Sequence, residues 1–135
     1  MSKDKGKAKN KNNSEPDIDF WLPEPEEHDY PAAASYLSLI YDSEKVNAMV
    51  EALKASPITH FKAKDIFRAS GLSLLGTSNS HVEKNLAKIK QGERLSPILL
   101  VHEPNLGKVV IADRYHRVCA VYRKDEDISI PCKII

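Results

Sequence analysis

Apolar residues recur with a helical period up to about residue 91 and with a strand-like pattern beyond it. Asp29 or Tyr30 can cap a first helix, Pro31 suits its first turn, and Ala32, Ala33, Ala34, Leu37 and Ile40 continue it. Ser43 can cap a second, in which Val46, Met49, Val50 and Leu53 share one face, and Pro57 follows its end. A short helix is predicted over 63–70, with Ile66 and Phe67 turned to a core and Gly71 as the left-handed closing residue. The clearest start is Ser80-His81-Val82-Glu83, a capping-box pattern, with Val82, Leu86 and Ile89 as the apolar stripe and Gly92 as the stop.

In the last third, Ser96-Pro97-Ile98-Leu99-Leu100-Val101 is an apolar run opened by proline, as in a strand buried on both faces. Glu103-Pro104-Asn105-Leu106-Gly107 reads as a turn and Lys108-Val109-Val110-Ile111-Ala112 as a second strand, which together predict a β-hairpin. A polar turn at 113–114 leads into a helix from Tyr115 to Tyr122, with Val118, Cys119, Val121 and Tyr122 partly buried. Ile128 to Ile135 reads as a last strand.

At 135 residues the sequence suits one domain with a real hydrophobic core, but its charge is uneven. Residues 1–13 carry a formal +4 and residues 14–29 carry −7, which leaves +4 for residues 30–135. The pattern predicts a disordered, charged N-terminal tail over 1–28 and a single domain over 29–135. Within the tail, Asp19-Phe20-Trp21-Leu22-Pro23 is an apolar patch expected to lie against the domain. No stretch has the apolar core of a secretory signal or the roughly 20 apolar residues of a membrane span, so a cytoplasmic protein with no membrane partner is expected. Cys119 and Cys132 have neither the density of a disulfide scaffold nor the spacing of a zinc site, which predicts reduced thiols and no protein-bound zinc.

Candidate chemistry concentrates in the turn from Asp113 to Arg117. The first amides of a helix lack internal partners, and the aligned peptide dipoles add partial positive charge, so such an end attracts anions. His116 and Arg117 in the first turn would add a donor of adjustable charge and a fixed cation, which suits a phosphate. Asp113 is placed to cap the helix and orient the turn, or alternatively to hold the Mg²⁺ of a bound nucleotide. Cys119 reads as a small buried hydrophobe rather than half of a Cys–His dyad. His28, His60, His81 and His102 fall at no ligand spacing and read as surface or capping residues, and Lys62, Lys64 and Arg68 as a solvated face.

The strand Pro97–Val101, the run Val109-Val-Ile-Ala-Asp-Arg-Tyr-His-Arg117 with its helix, and Ile130-Pro-Cys-Lys-Ile134 agree in order with a known family. Over about residues 80–135 the chain resembles the ParB/sulfiredoxin-like superfamily, the ParB-like nuclease domain. In that family the corresponding turn carries a Gly-Glu-Arg-Arg motif that binds nucleotide phosphates, or a Gly-Gly-Cys-His-Arg motif that binds ATP. The resemblance implies an α/β (α+β) domain, a small mixed sheet packed with helices, preceded here by extra N-terminal helices.

Residue by residue, His116 and Arg117 match the His-Arg of the sulfiredoxin motif, while Tyr115 stands where its catalytic cysteine would be, so sulfiredoxin chemistry is not expected. Arg114 replaces the family's glycine. Either the turn tolerates arginine and gains a positive group, or the scaffold has lost its ligand. No helix-turn-helix segment follows in this sequence, so centromere-type DNA binding is not expected either.

These observations lead to a nucleotide- or phosphate-binding domain, for a nucleotide of ATP or CTP type with accompanying Mg²⁺, whose contacts come from Asp113, Arg114, Tyr115, His116 and Arg117. His116 is the candidate for proton transfer if the domain catalyses nucleotide hydrolysis or phosphoryl transfer. The alternative is a non-enzymatic module that binds protein or nucleic acid on the same scaffold.

Overall fold

The computed structural model describes residues 21–73 and 79–135; the disorder expected over residues 1–20 lies outside them. In chain order the described elements are α1 (Asp29–Leu37), α2 (Ser43–Ala55), β1 (Thr59–Lys62), α3 (Ala63–Ser70), α4 (Ser80–Lys90), β2 (Ile98–Glu103), β3 (Lys108–Asp113), α5 (Tyr115–Lys124) and β4 (Ser129–Ile134). A short 3₁₀ turn, Pro104–Leu106, joins β2 to β3 and ends at Gly107, whose φ of +63° a glycine adopts without steric cost.

The helices form where the apolar periods put them, but their caps differ. Asp42, not Ser43, caps α2 by accepting the Lys45 amide at 2.9 Å. Asn79, not Ser80, caps α4 by accepting the His81 and Val82 amides at 2.9 and 3.2 Å. Neither Asp29 nor Tyr30 caps α1: both lie inside it, and His28 is the cap residue. That helix stops at Leu37 rather than Ile40, because the amides of Leu39 and Ile40 turn back to the carbonyls of Tyr36 and Leu37 in a tighter turn.

The four strands form one mixed sheet in the order β1-β4-β2-β3. β1 runs antiparallel to β4, β4 parallel to β2, and β2 antiparallel to β3 in the expected hairpin. Alternation along β2 divides the core. Ile98 and Leu100 face α3, α4 and α5 through Ile66, Phe67, Val82, Ile89, Val118 and Val121. Leu99 and Val101 face α1 and α2 through Ala33, Leu37, Val46 and Leu53. Helices therefore cover both faces, which is why β2 is apolar at consecutive positions. β1, with the sequence Thr-His-Phe-Lys, carries no such pattern. It is an edge strand, mostly exposed, and its pairing with β4 defines it.

Residues 21–28, assigned to the tail by their charge, lie on the domain. Trp21 is buried and bridges Leu95 in parallel register, with the Leu22 amide donating to the Leu95 carbonyl at 2.8 Å. Glu24 pairs at 3.3 Å with the ammonium of Lys133, a buried lysine on β4 that also donates to the Lys54 carbonyl at 2.9 Å. One aromatic anchor and one ion pair between an exposed glutamate and a buried lysine therefore outweigh the solubility of the surrounding acids. Among the described residues no helix is long and apolar enough to cross a membrane.

Trp21→Ala removes this anchor and is expected to cost about 3 kcal/mol, read by urea unfolding followed by circular dichroism. A loss below about 1 kcal/mol would show that the segment does not belong to the cooperative unit.

Candidate functional site

The turn after β3 begins with a break in register. Val101 pairs with Val110 and Leu100 with Ile111, but Leu99 pairs with Asp113, so Ala112 is the extra residue of a β-bulge one position before the turn. Arg114 then adopts φ +74°, and among the described residues it is the one non-glycine with positive φ. A side chain in this region costs roughly 1–2 kcal/mol, which is why glycine is usual there.

What holds Arg114 is Asp29, 85 positions earlier at the start of α1. The guanidinium Nε donates to Asp29 Oδ1 at 3.1 Å, and Nη2 donates to the same oxygen. Asp29 is fully buried, and its other oxygen accepts the Glu26 amide at 2.8 Å. Glu26 Oε1, 3.9 Å from Nη2, and Asp113 Oδ2, 3.3 Å from Nε, complete an acidic cage around the arginine. Removing one partner would leave a desolvated charge, so the pair fixes the left-handed turn to α1.

The two carboxyls respond in opposite directions. Burial pushes Asp29 up, but the Glu26 amide and the Arg114 guanidinium outweigh it and hold the carboxyl below its usual range. Burial pushes Asp113 up to about 6, with Arg114 opposing and the charge of Asp29 adding to the rise. Asp113 Oδ2 accepts no hydrogen bond among the described residues, although the Arg114 charge lies beside it. A proton reaching this pair therefore goes first to Asp113.

Asp113 is also not the cap of α5. That position belongs to Arg114, which offers no side-chain acceptor. Arg114 Nε lies 3.3 Å from Asp113 Oδ2, so a Mg²⁺ ion at that oxygen would share it with a guanidinium. The same guanidinium contacts Glu26, His28 and Asp29, whose ligand atoms lie within 4.8 Å of one another.

His81, Asn85, Asp113, Arg114, Tyr115, His116 and Arg117 line a cleft of about 170 Å³. All five residues of the predicted turn therefore share one space. Because Arg114 supplies no side-chain cap, the Tyr115 and His116 amides of α5 are left for solvent or a ligand, the Arg117 amide turning back to the Arg114 carbonyl at 3.0 Å, whereas Asn79 satisfies the His81 and Val82 amides of α4.

Arg117 is 5% exposed, and most of its guanidinium is turned inward. Nε donates to Asn85 Oδ1 at 3.0 Å, and Nη1 donates to the carbonyl and hydroxyl of Ser96 at 3.0 and 2.7 Å. Among the described residues Nη2 takes no hydrogen bond, which leaves it as the arginine's remaining donor. Burial, with the Arg114 charge adding, lowers the Arg117 pKa to about 10, so it stays charged at neutral pH.

The His116 ring lies 4.7 Å from that of His81, centroid to centroid, tilted by 38°. Burial and then the charge of His81 lower the His116 pKa, which favours a neutral ring at pH 7. The Tyr115 hydroxyl donates to the Ser73 carbonyl and so ties α5 to the end of the α3 connection. Burial, with the Cys119 thiol adding, pushes Tyr115 up to about 12 and keeps it protonated. Cys119 and Cys132 are free and buried, and burial pushes the Cys132 thiol up to about 12.

Four participants escape the sequence pattern. Asp29, Ser96, Asn85 and His81 lie 85, 21, 32 and 35 positions from the turn residues that they meet. Among known proteins, the chain matches no protein-family model, no curated protein and no solved structure.

Asp29→Asn is expected to destabilise the fold by about 3 kcal/mol, and Arg114→Gly by less, because glycine relieves the turn while stranding the Asp29 carboxylate. In a thermal unfolding cycle the double variant should lose less than the sum of the two; additivity would dissolve the link between them.

For Asp113 the folded pKa lies above the unfolded one, so its contribution to stability is present below about pH 4 and is lost as pH rises through about 6. Asp113→Asn should abolish that loss and raise stability at pH 7 by on the order of 2 kcal/mol in urea titrations. A variant that follows the parent's pH profile would contradict the assignment.

Proposed function

We propose that this chain is a phosphate-binding domain of ParB/sulfiredoxin-like architecture, which takes the phosphoryl end of a nucleotide of ATP or CTP type at the start of α5. The observation that carries this reading is the uncapped N-terminus of α5, which opens on a cleft with the paired rings of His81 and His116 at its wall and Arg117 buried behind it. Free amides, a helix dipole and a fixed guanidinium are together the chemistry that an oxyanion requires.

At about 170 Å³ the cleft is smaller than the roughly 300–1,000 Å³ of a pocket that encloses a whole small molecule. It fits a phosphoryl group, with the nucleoside lying outside. A Mg²⁺ ion would arrive with the nucleotide, whose phosphates and water supply most of its ligands. The small cleft also favours a second reading, a non-enzymatic module in which the turn meets a phosphorylated or acidic surface of a protein or nucleic acid.

Calorimetry with inorganic phosphate, ATP, CTP and ADP, with and without Mg²⁺, should show one site for which all four compete. His116→Gln should weaken it about tenfold by removing one charge-assisted donor. Absence of binding by every phosphate would overturn the proposal, and binding of inorganic phosphate alone would favour the second reading.

A further inference from the structure

The rings of His81 and His116 come from the first turns of two different helices and stack at one cleft whose other lining groups are Asn85, Asp113, Arg114, Tyr115 and Arg117. The two guanidiniums are offset by three carboxyls: Asp29, Asp113 and Glu26 surround Arg114, and their charges also reach Arg117, whose hydrogen-bond partners Asn85 and Ser96 are neutral. A dianion entering the cleft would therefore meet little uncompensated fixed charge. The two imidazoles are the groups able to supply more, each by taking up a proton.

Their stacking also limits what they can do. In-line phosphoryl transfer needs its base and its acid on opposite sides of phosphorus, whereas rings with centroids 4.7 Å apart stand on one side. As a pair they are placed to clamp an anion.

Resting on the proposed phosphate site, we infer that the His81–His116 pair makes anion binding proton-coupled: the cleft takes a tetrahedral dianion together with at least one proton on these rings. In the empty site two adjacent imidazolium ions would repel each other, and the N-terminal ends of α4 and α5 oppose both charges. Burial and His81 already hold the His116 pKa down. A dianion beside the two rings reverses the sign of the local field, so protonation and ligand binding favour each other, and by linkage the effect is reciprocal.

The other titratable and charged groups around the pair are Tyr115 and Arg117 on α5, the exposed Glu83 and Lys84 after His81 on α4, Asp113 at the end of β3 with Arg114 after it, and Asp29 on α1 with Glu26 and His28 before it. Tyr115 and Arg117 keep their protons through the physiological range, whereas Asp113 does not, with its pKa raised to about 6.

Sulfate remains a dianion across this range and so separates titration of the protein from titration of the ligand. In calorimetry on the full chain, sulfate should bind at least about tenfold more tightly near pH 5.5 than near pH 8, and the imidazole NMR titrations of both histidines should move to higher pH when sulfate saturates the site. His81→Gln, at an exposed position, should flatten the pH dependence, whereas Asp113→Asn should preserve it.

Sulfate binding that ignores pH, or histidine titrations that ignore sulfate, would overturn the inference and leave the phosphate site standing. Loss of the pH dependence in Asp113→Asn would overturn it by assigning the proton to the carboxyl pair. Failure of sulfate and phosphate to bind at any pH would remove the phosphate site itself.

Discussion

Arg114 occupies a backbone conformation that suits glycine, and the buried carboxylate of Asp29 keeps it there. The ion pair joins the first turn of α1, on one face of the sheet, to the strand–helix turn at the end of β3. Neither partner has a substitute: Asp29 is fully buried, and Arg114 is the one described non-glycine residue at positive φ. Desolvation makes the pair modest as a source of net stability but strict as a geometric constraint, because either charge alone in that place is costly.

The same interaction shapes the site. The Arg114 side chain is drawn to α1, so the residue at the cap of α5 has nothing to give the helix, and the first amides of α5 stay open. The bulge at Ala112 and the inward pull of Ser96 and Asn85 on Arg117 complete a turn with polar groups on every side. Charge is nearly balanced within this network. The two arginines are countered by Asp29, Asp113 and Glu26, and the adjustable part is Asp113, with its pKa raised to about 6, together with the histidine pair of His81 and His116.

Most of the architecture was legible in the order of apolar residues. The helices at 43–55, 63–70 and 80–90, the β2–β3 hairpin and the last strand stand where the periods put them, because each buries a whole stripe or face. β1 was not legible: an exposed edge strand is defined by its partner and not by its own residues. Trp21 lies against the domain as its apolar patch predicted, but the docking of the acidic residues 24–28 was not legible, because a few specific contacts oppose a strongly acidic composition. For the site, the turn residues 113–117 were found together. Asp29 was hidden as an apparent cap, and His81 as an apparent surface residue, because nothing local in either segment records a contact across the fold.

The central claim is that this turn is built to receive a tetrahedral oxyanion. Tungstate has the shape and charge of such an ion and scatters X-rays strongly, so anomalous diffraction from a crystal soaked in it locates the site without reference to any activity. The account predicts a peak in the cleft at the start of α5, beside His81 and His116. A peak confined to the exposed lysines of β1 and α3, or an empty cleft, would contradict it.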